Sequence, residues 1–252
     1  MNRRAIAVLN ASGDLTDEEI RTAVAAVQIQ IRRDFAPIWG VDAQLTFVGR
    51  SDTPPKNNEW IVVLDNSDFG GALGYHDLTS EGLPLGKVFA ATDKLNGVPW
   101  SVALSHELLE LLVDPYMILN ATTQNGLGYL LYPYEICDAC QAPWFSYAIN
   151  EQRMSDFLYP AWFGAVYNAA VPTRYDHADC IRRPFGLLPD GFSMVFDASF
   201  GTGWHMLTAT NGAPAYTHRP RVGSRRERRR LGYRSWLPSR IAPREELHAR
   251  LR

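Results

Sequence analysis

The chain has 252 residues, of which 46% are hydrophobic, so a core of ordinary globular size can be buried. Its net charge of −2 conceals an asymmetry, because residues 219–252 contain 12 Arg and 3 Glu and the rest of the chain is therefore acidic. No stretch approaches the ~20 consecutive apolar residues of a membrane span, and three cysteines, an odd number, argue against a disulfide framework.

The start of the chain and the cysteine content bear on its location. Met1–Asn10 begins with basic residues, but its apolar run is too short for a signal-peptide core and no small-residue cleavage site follows. Few cysteines fit a reducing compartment. We therefore expect a soluble, cytoplasmic protein that makes no membrane contact, with a virion or export without a signal as the alternatives.

The first third of the chain has the pattern of an α/β layer. Residues 17–34 repeat apolar side chains at helical spacing, and Thr16 before them is a suitable helix cap. Short apolar runs around this helix predict strands, at Ala5–Leu9, Ala43–Val48, Trp60–Leu64 and Lys87–Thr92.

The stretch from Trp100 to Pro115 is predicted to be one helix, which Pro115 ends. Its side chains are apolar on every side, so the helix is expected to be buried rather than at the surface. It nevertheless carries three ionisable residues, and at about 100° per residue they project into one sector. These residues are His106, Glu107 and Glu110.

Buried ionisable groups are unfavourable unless they are paired or bind a metal, so this sector predicts a metal site. His106 and Glu110 have the i, i+4 spacing that lets two side chains bind one ion from adjacent turns. One imidazole and several carboxylates suit zinc and also manganese or iron. The alternative is structural pairing of His106 with a carboxylate.

The next segment offers further ligands. Pro133–Cys140 is predicted to open a second helix, after a short strand at Tyr129–Tyr132, with Glu135 and Asp138 on one face. Glu135 is then the third ligand and Asp138 the group that hydrogen-bonds to His106, or the two roles are exchanged.

The remainder is aromatic and rich in loops. A closing hairpin is predicted from Gly191–Phe196 and Trp204–Ala209. From Pro214 onward Pro, Gly and Arg dominate, which predicts an irregular tail. The expected organisation is a single metal-binding domain over residues 1–213 and an Arg-rich tail over residues 214–252.

The segments Ser105–Glu110 and Glu135–Asp138 resemble the zincin metallopeptidases, and among them the gluzincins. The resemblance, which covers about residues 43–140, implies an α+β fold: a small mixed sheet on the active-site helix, a second ligand-bearing helix and the C-terminal hairpin. It also implies zinc, Glu107 as the general base, and hydrolysis of a peptide or protein substrate lying along an edge strand near Tyr75–Asp77. Tyr75 or His76 is then expected to assist catalysis.

The sequence departs from the zincin pattern at Glu110, where the family has a histidine, and this opens the identity of the metal. The whole chain also resembles bacterial and phage proteins that share the helix, a stretch like Ser155–Phe163 and an Arg-rich end. That second likeness implies no activity.

Two other metal sites are weaker alternatives. One is a structural zinc site, in which Cys137-x-x-Cys140 and His177-x-x-Cys180 supply four ligands. The other is a di-iron carboxylate site, for which the chain does not offer the four long helices required.

The competing function is a non-catalytic binding or assembly protein. The dense Arg run at residues 225–230 predicts contact with nucleic acid or an acidic partner surface through residues 219–252. The simpler interpretation is a solvated tail that associates with its own acidic body.

Overall fold

The computed structural model describes residues 3–56, 58–68, 72–79, 81–126, 128–164, 173–198, 204–210 and 213–218. The described chain forms two compact units. Unit 1 contains residues up to 116 together with residues 148–154, and unit 2 contains residues 117–147 and those from 155 onward. Helices and sheets occur together, which confirms the α+β class; whether residues 1–213 make a single domain stays a prediction.

Unit 1 is built on a mixed sheet of five strands in the order β2-β1-β3-β5-β4. Four of the strands run parallel, and β4 is antiparallel to β5 at one edge. Their bounds are β1 Arg3–Asn10, β2 Asp42–Val48, β3 Glu59–Leu64, β4 Gly74–Leu78 and β5 Pro84–Phe89. The three parallel strands predicted earliest in the chain are confirmed within two residues.

Register at the edge of this sheet decides which side chains share a face. Tyr75 is paired with Lys87, and His76 is paired with Gly86. Because successive side chains of a strand point to opposite faces, Tyr75 and His76 lie on opposite sides of the sheet. The Tyr75 side carries one apolar cluster, formed by Ala7, Leu9, Val48, Trp60, Val62, Leu64, Tyr75, Leu85 and Phe89.

The first helix, α1 at Asp17–Gln30, begins where the sequence predicted. Thr16 and Glu19 form a reciprocal capping box, which satisfies backbone groups at the helix start. The predicted extension to residue 34 is a π-helical turn, Ile31–Phe35, followed by the short helix α2 at Ala36–Trp39. Gly40 ends α2 with a φ of 70°, a conformation that favours glycine.

The predicted strand Lys87–Thr92 is partly wrong. The strand ends at Phe89, and helix α3 begins there and covers Ala90–Leu95. The amides of Ala91 and Thr92 both donate to the carbonyl of Asp65, so they are satisfied at a helix start rather than in a sheet ladder.

Helix α4, at Trp100–Val113, is buried on all sides as predicted. Ser101 near its start donates from Oγ to the carbonyl of Arg153. At its end, the Arg4 guanidinium donates to the carbonyls of Leu111 and Leu112 at 2.8 and 3.0 Å. These bonds satisfy carbonyls that a helix end leaves open, and they fix the helix against β1. No helix of the described residues is long and apolar enough to cross a membrane.

Unit 2 contains a second sheet of five strands, in the order β12-β11-β10-β7-β6. The predicted hairpin is confirmed as the antiparallel pair β10 and β11. The predicted tail begins too early, because β12 pairs with β11 beyond residue 213, Pro214 lying opposite Ala209. The strands of this sheet are β6 Asn120–Asn125, β7 Gly128–Pro133, β10 Phe192–Asp197, β11 Trp204–Thr210 and β12 Ala213–His218. A separate two-stranded pair, β8 Tyr147–Ile149 and β9 Gln152–Met154, belongs to unit 1 except for Tyr147.

The predicted second ligand-bearing helix over residues 133–140 is wrong. Only a 3-10 turn, Asp138–Cys140, is present there. The residues before it use their backbone groups on other segments: the Tyr134 amide donates to Leu119, and the Ile136 carbonyl accepts from Leu158. These bonds replace the i to i−4 pairs that a helix needs.

Candidate metal centre

Strand β4 and helix α4 bring three buried ionisable side chains together in unit 1. His76 comes from the strand, and Glu107 and Glu110 come from the helix. The His76 Nδ1 atom lies 3.4 Å from Glu107 Oε2 and 3.5 Å from Glu110 Oε2. The three side chains offer donor atoms within 4.8 Å of one another, so they form a possible ion-binding group.

A second histidine approaches Glu110 from the other side. His106 Nε2 lies 3.4 Å from Glu110 Oε1, and the His106 side chain is 12% exposed, more than those of His76, Glu107 and Glu110. The two carboxylate oxygens of Glu110 therefore face two different imidazoles, and Glu110 is the centre of the group.

The glycine at position 74 allows helix α4 to approach the sheet this closely. A Cβ at Gly74 would lie 2.8 Å from Glu107 Cγ and 2.9 Å from Glu107 Oε1. A Cβ at Gly86 would instead clash with Ile61 Cδ1 of the neighbouring strand β3. The space beside Gly74 is occupied by the Glu107 carboxylate, so this glycine forms part of the site.

The structure brings together the three helix residues that the sequence predicted. His106, Glu107 and Glu110 do share a sector, and His76 joins them from strand β4. The sequence signal for His76 is weak, because a single histidine in a short strand has no second candidate ligand at a characteristic spacing from it. Its position opposite Gly86 is what turns it toward α4.

Tyr75, predicted as a possible catalytic residue, lies on the opposite face of the sheet from His76. Its hydroxyl donates to the Asp68 carboxylate at 3.0 Å, and its ring packs on Phe89. Lys87 Nζ lies 2.6 Å from the same carboxylate, and burial lowers the pKa of Lys87 despite this partner. A catalytic role for Tyr75 stays a prediction from the sequence alone.

Glu135 and Asp138, the predicted additional ligands, belong to unit 2. Asp138 is buried and begins the 3-10 turn, and Glu135 is half-buried just after β7. Because the helix expected to align them is absent, their i, i+3 spacing does not set a common face. Their membership of the metal site stays a prediction.

Asp93 is a buried carboxyl group in unit 1 that the sequence analysis missed. It lies on α3 and has no exposed surface. Neither carboxylate oxygen has a hydrogen-bond partner among the described residues. Burial raises the pKa of Asp93 to about 8, and the positive charge of His106 opposes that rise. No spacing rule marks this residue, because it sits in a short helix of ordinary composition.

The alternative zinc site in unit 2 does not form. The ring of His177 stacks on Phe157, with a centroid distance of 4.9 Å, and its Nδ1 faces the Tyr159 hydroxyl at 3.3 Å. Among the described residues, Cys137, Cys140, His177 and Cys180 are not a group that could hold an ion. The Arg-rich segment 219–252 lies outside the described residues, so its predicted docking role stays a prediction.

The donor set of the unit 1 group fits a divalent transition metal. Imidazole nitrogen and carboxylate oxygen are both accepted by zinc, and the share of carboxylates also suits manganese or iron. No protein-family model, no curated protein and no solved structure matches the chain.

Proposed function

We propose that this chain is a metal-dependent hydrolase, a zinc peptidase in its simplest form, whose ion binds at Glu110. The observation that carries the proposal is the convergence of two histidines on that one buried carboxylate: His76 lies 3.5 Å and His106 3.4 Å from Glu110, and Glu107 lies 3.4 Å from His76. On a surface helix the same residues would be hydrated, and their grouping would not call for an ion or any other partner.

The separations themselves support a metal over ion pairs. Charge-assisted hydrogen bonds between nitrogen and a carboxylate are about 2.7–2.9 Å long. A tetrahedral ion with bonds of about 2.1 Å separates its ligand atoms by about 3.4 Å. The 3.4 Å between His106 Nε2 and Glu110 Oε1 matches the second value.

In this proposal, His106 and Glu110 hold the ion from adjacent turns of α4. Glu107, held beside His76 at 3.4 Å, accepts a proton from the attacking water. The ion, when bound, lowers the pKa of its water and polarises the scissile carbonyl.

A peptide substrate is supported by the position of β4. This strand lies at the edge of the sheet, antiparallel to β5, and carries His76 of the site. An edge strand offers unpaired backbone groups with which an extended peptide can pair. The zincin resemblance implies the same arrangement.

The test combines metal content with peptide hydrolysis. We expect about one transition metal per chain in protein purified without chelator, and loss of that metal in His106→Ala and Glu110→Ala. Glu107→Gln is expected to keep the metal and to lower kcat by at least about 10²-fold, because a positioned base contributes 10²–10⁴. The matched control is Glu18→Gln, a change at an exposed position of α1.

Each result has a definite meaning. Absence of any transition metal from the wild-type protein would overturn the proposal. Loss of metal in Glu107→Gln and in His76→Ala, with retention in His106→Ala, would move the ion into the group His76–Glu107–Glu110 and make Glu107 a ligand. Full activity of Glu107→Gln would exclude its role as the base.

A further inference from the structure

His76 is a buried histidine that the proposed function does not use as a ligand. Its Nδ1 atom lies 3.4 Å from Glu107 Oε2 and 3.5 Å from Glu110 Oε2. All three side chains are more than nine-tenths buried, and their donor atoms lie within 4.8 Å of one another. The other oxygen of Glu107, Oε1, is turned toward Gly74. One nitrogen and two carboxylate oxygens therefore converge in a part of unit 1 from which water is largely excluded.

The separations within this group are those of ligands on one ion. Charge-assisted hydrogen bonds between nitrogen and a carboxylate are about 2.7–2.9 Å long, shorter than both distances from His76. Ligand atoms on a tetrahedral ion with bonds of about 2.1 Å lie about 3.4 Å apart. Imidazole nitrogen and carboxylate oxygen are both ligands that zinc accepts.

The two oxygens of Glu110 divide the site into two halves. Oε1 faces His106 at 3.4 Å, and Oε2 faces His76 at 3.5 Å. An ion held by His106 and Oε1 leaves the group around Oε2 intact. We propose that this group is a second cation site, in which His76 Nδ1, Glu107 Oε2 and Glu110 Oε2 bind a divalent transition metal and Glu110 bridges two ions. The inference rests on the proposed function, which places the first ion at His106.

The second ion binds more weakly than the first. The ions of two-metal sites lie about 3.5–4 Å apart, and like charges at that distance repel. Glu110 shares its negative charge between them. The His76 side chain is 1% exposed and that of His106 12%, so an ion beside His76 exchanges more of its hydration shell for protein ligands. Purified protein is therefore expected to hold the first ion, and the second enters when Zn²⁺ is added.

Occupation of the second site removes the base of the proposed reaction. A Glu107 carboxylate that coordinates an ion is not available to accept a proton from the attacking water. Loss of a positioned base costs 10²–10⁴ in rate. Peptide hydrolysis is therefore expected to fall about 10²-fold as the second ion binds, which makes this group an inhibitory metal site.

The first experiment is a Zn²⁺ titration of metal-free protein by equilibrium dialysis. Wild type is expected to bind two ions in two separate steps. His76→Gln is expected to bind one ion, with the affinity of the tighter step, because a neutral amide replaces the imidazole ligand. The matched control is His205→Gln, at a histidine of β11 in unit 2, which is expected to keep both steps.

The second experiment uses wild type alone, so it does not depend on the folding of a variant. Nitrogen NMR of ¹⁵N-histidine-labelled protein follows each imidazole during the same titration. We expect the His106 Nε2 resonance to shift with the first equivalent of Zn²⁺ and the His76 Nδ1 resonance with the second. Peptide hydrolysis, measured at the same Zn²⁺ concentrations, is expected to fall together with the His76 shift.

The outcomes separate this inference from the proposed function. A single ion that depends on His106, with no second step and no shift at His76, would overturn the inference and leave the proposed function standing. A second ion that His76→Gln retains would also overturn it, because that ion lies elsewhere. A second step that leaves hydrolysis unchanged would exclude the inhibitory role. If wild type binds no Zn²⁺, the proposed function itself fails.

Discussion

At the scale of single residues, the site depends on Glu110 having two oxygens that face two histidines. The helical spacing of His106, Glu107 and Glu110 was readable from the sequence, because 3.6 residues per turn places them in one sector. His76 was identified only as a possible assistant. Its contribution depends on strand register, which no local pattern in the sequence determines.

Gly74→Ala tests how closely Glu107 is held. The added methyl group would lie 2.8 Å from Glu107 Cγ, so the carboxylate must move. We expect kcat/KM for peptide hydrolysis to fall about 10²-fold, since a misplacement of about 1 Å costs that much. Zn²⁺ content and Tm are measured on the same sample, and unchanged hydrolysis by the variant would contradict the close contact.

At the scale of elements, helix α4 was predicted well and the segment after it was not. Proline on either side and an apolar composition define α4 locally. Residues 134–136 have no such local constraint, and their backbone groups bond to Leu119 and Leu158, which are remote in sequence. Residues 133–140 have a sequence pattern that favours a helix, but hydrogen bonds to remote segments set their conformation instead.

Arg4→Met tests how α4 is fixed at its C-terminal end. The guanidinium donates to the carbonyls of Leu111 and Leu112 and pairs with Glu59, and methionine keeps most of the apolar stem. We expect a loss of about 1–3 kcal/mol in the free energy of unfolding, because charge-assisted bonds and buried acceptors are removed together. Urea unfolding measures this loss. The control is Arg21→Met, at an exposed position of α1, which is expected to lie within about 0.5 kcal/mol of wild type.

At the scale of the folded chain, one buried acidic group in unit 2, Asp156, links stability to pH. The Asp156 carboxylate accepts from the amides of Phe157 and Ala178, and joins the segments around them. Burial, followed by the nearby Asp176, raises the pKa of Asp156 from 3.8 to about 8. The folded state therefore binds a proton that the unfolded state has already released at neutral pH.

The sign of the pH effect follows from this raised pKa. Below about pH 4 both states are protonated and the contribution of Asp156 is complete; as the pH rises toward 8 it is lost. We expect hydrogen exchange at the Phe157 and Ala178 amides to accelerate over that range beyond the intrinsic pH effect. Asp156→Asn should remove the excess, and an equal excess in that variant would assign it to another group.

The amino-acid sequence was sufficient to identify the acidic body, the Arg-rich end, the strands at the start of the chain and the buried helix with its three ionisable residues. These follow from composition and from short-range periodicity, which act through neighbouring residues. The folded structure was needed to show that His76 meets Glu107, that Tyr75 faces the other way, and that Asp93 is buried. The reason is that strand register and the approach of one helix to another depend on contacts between residues far apart in the chain.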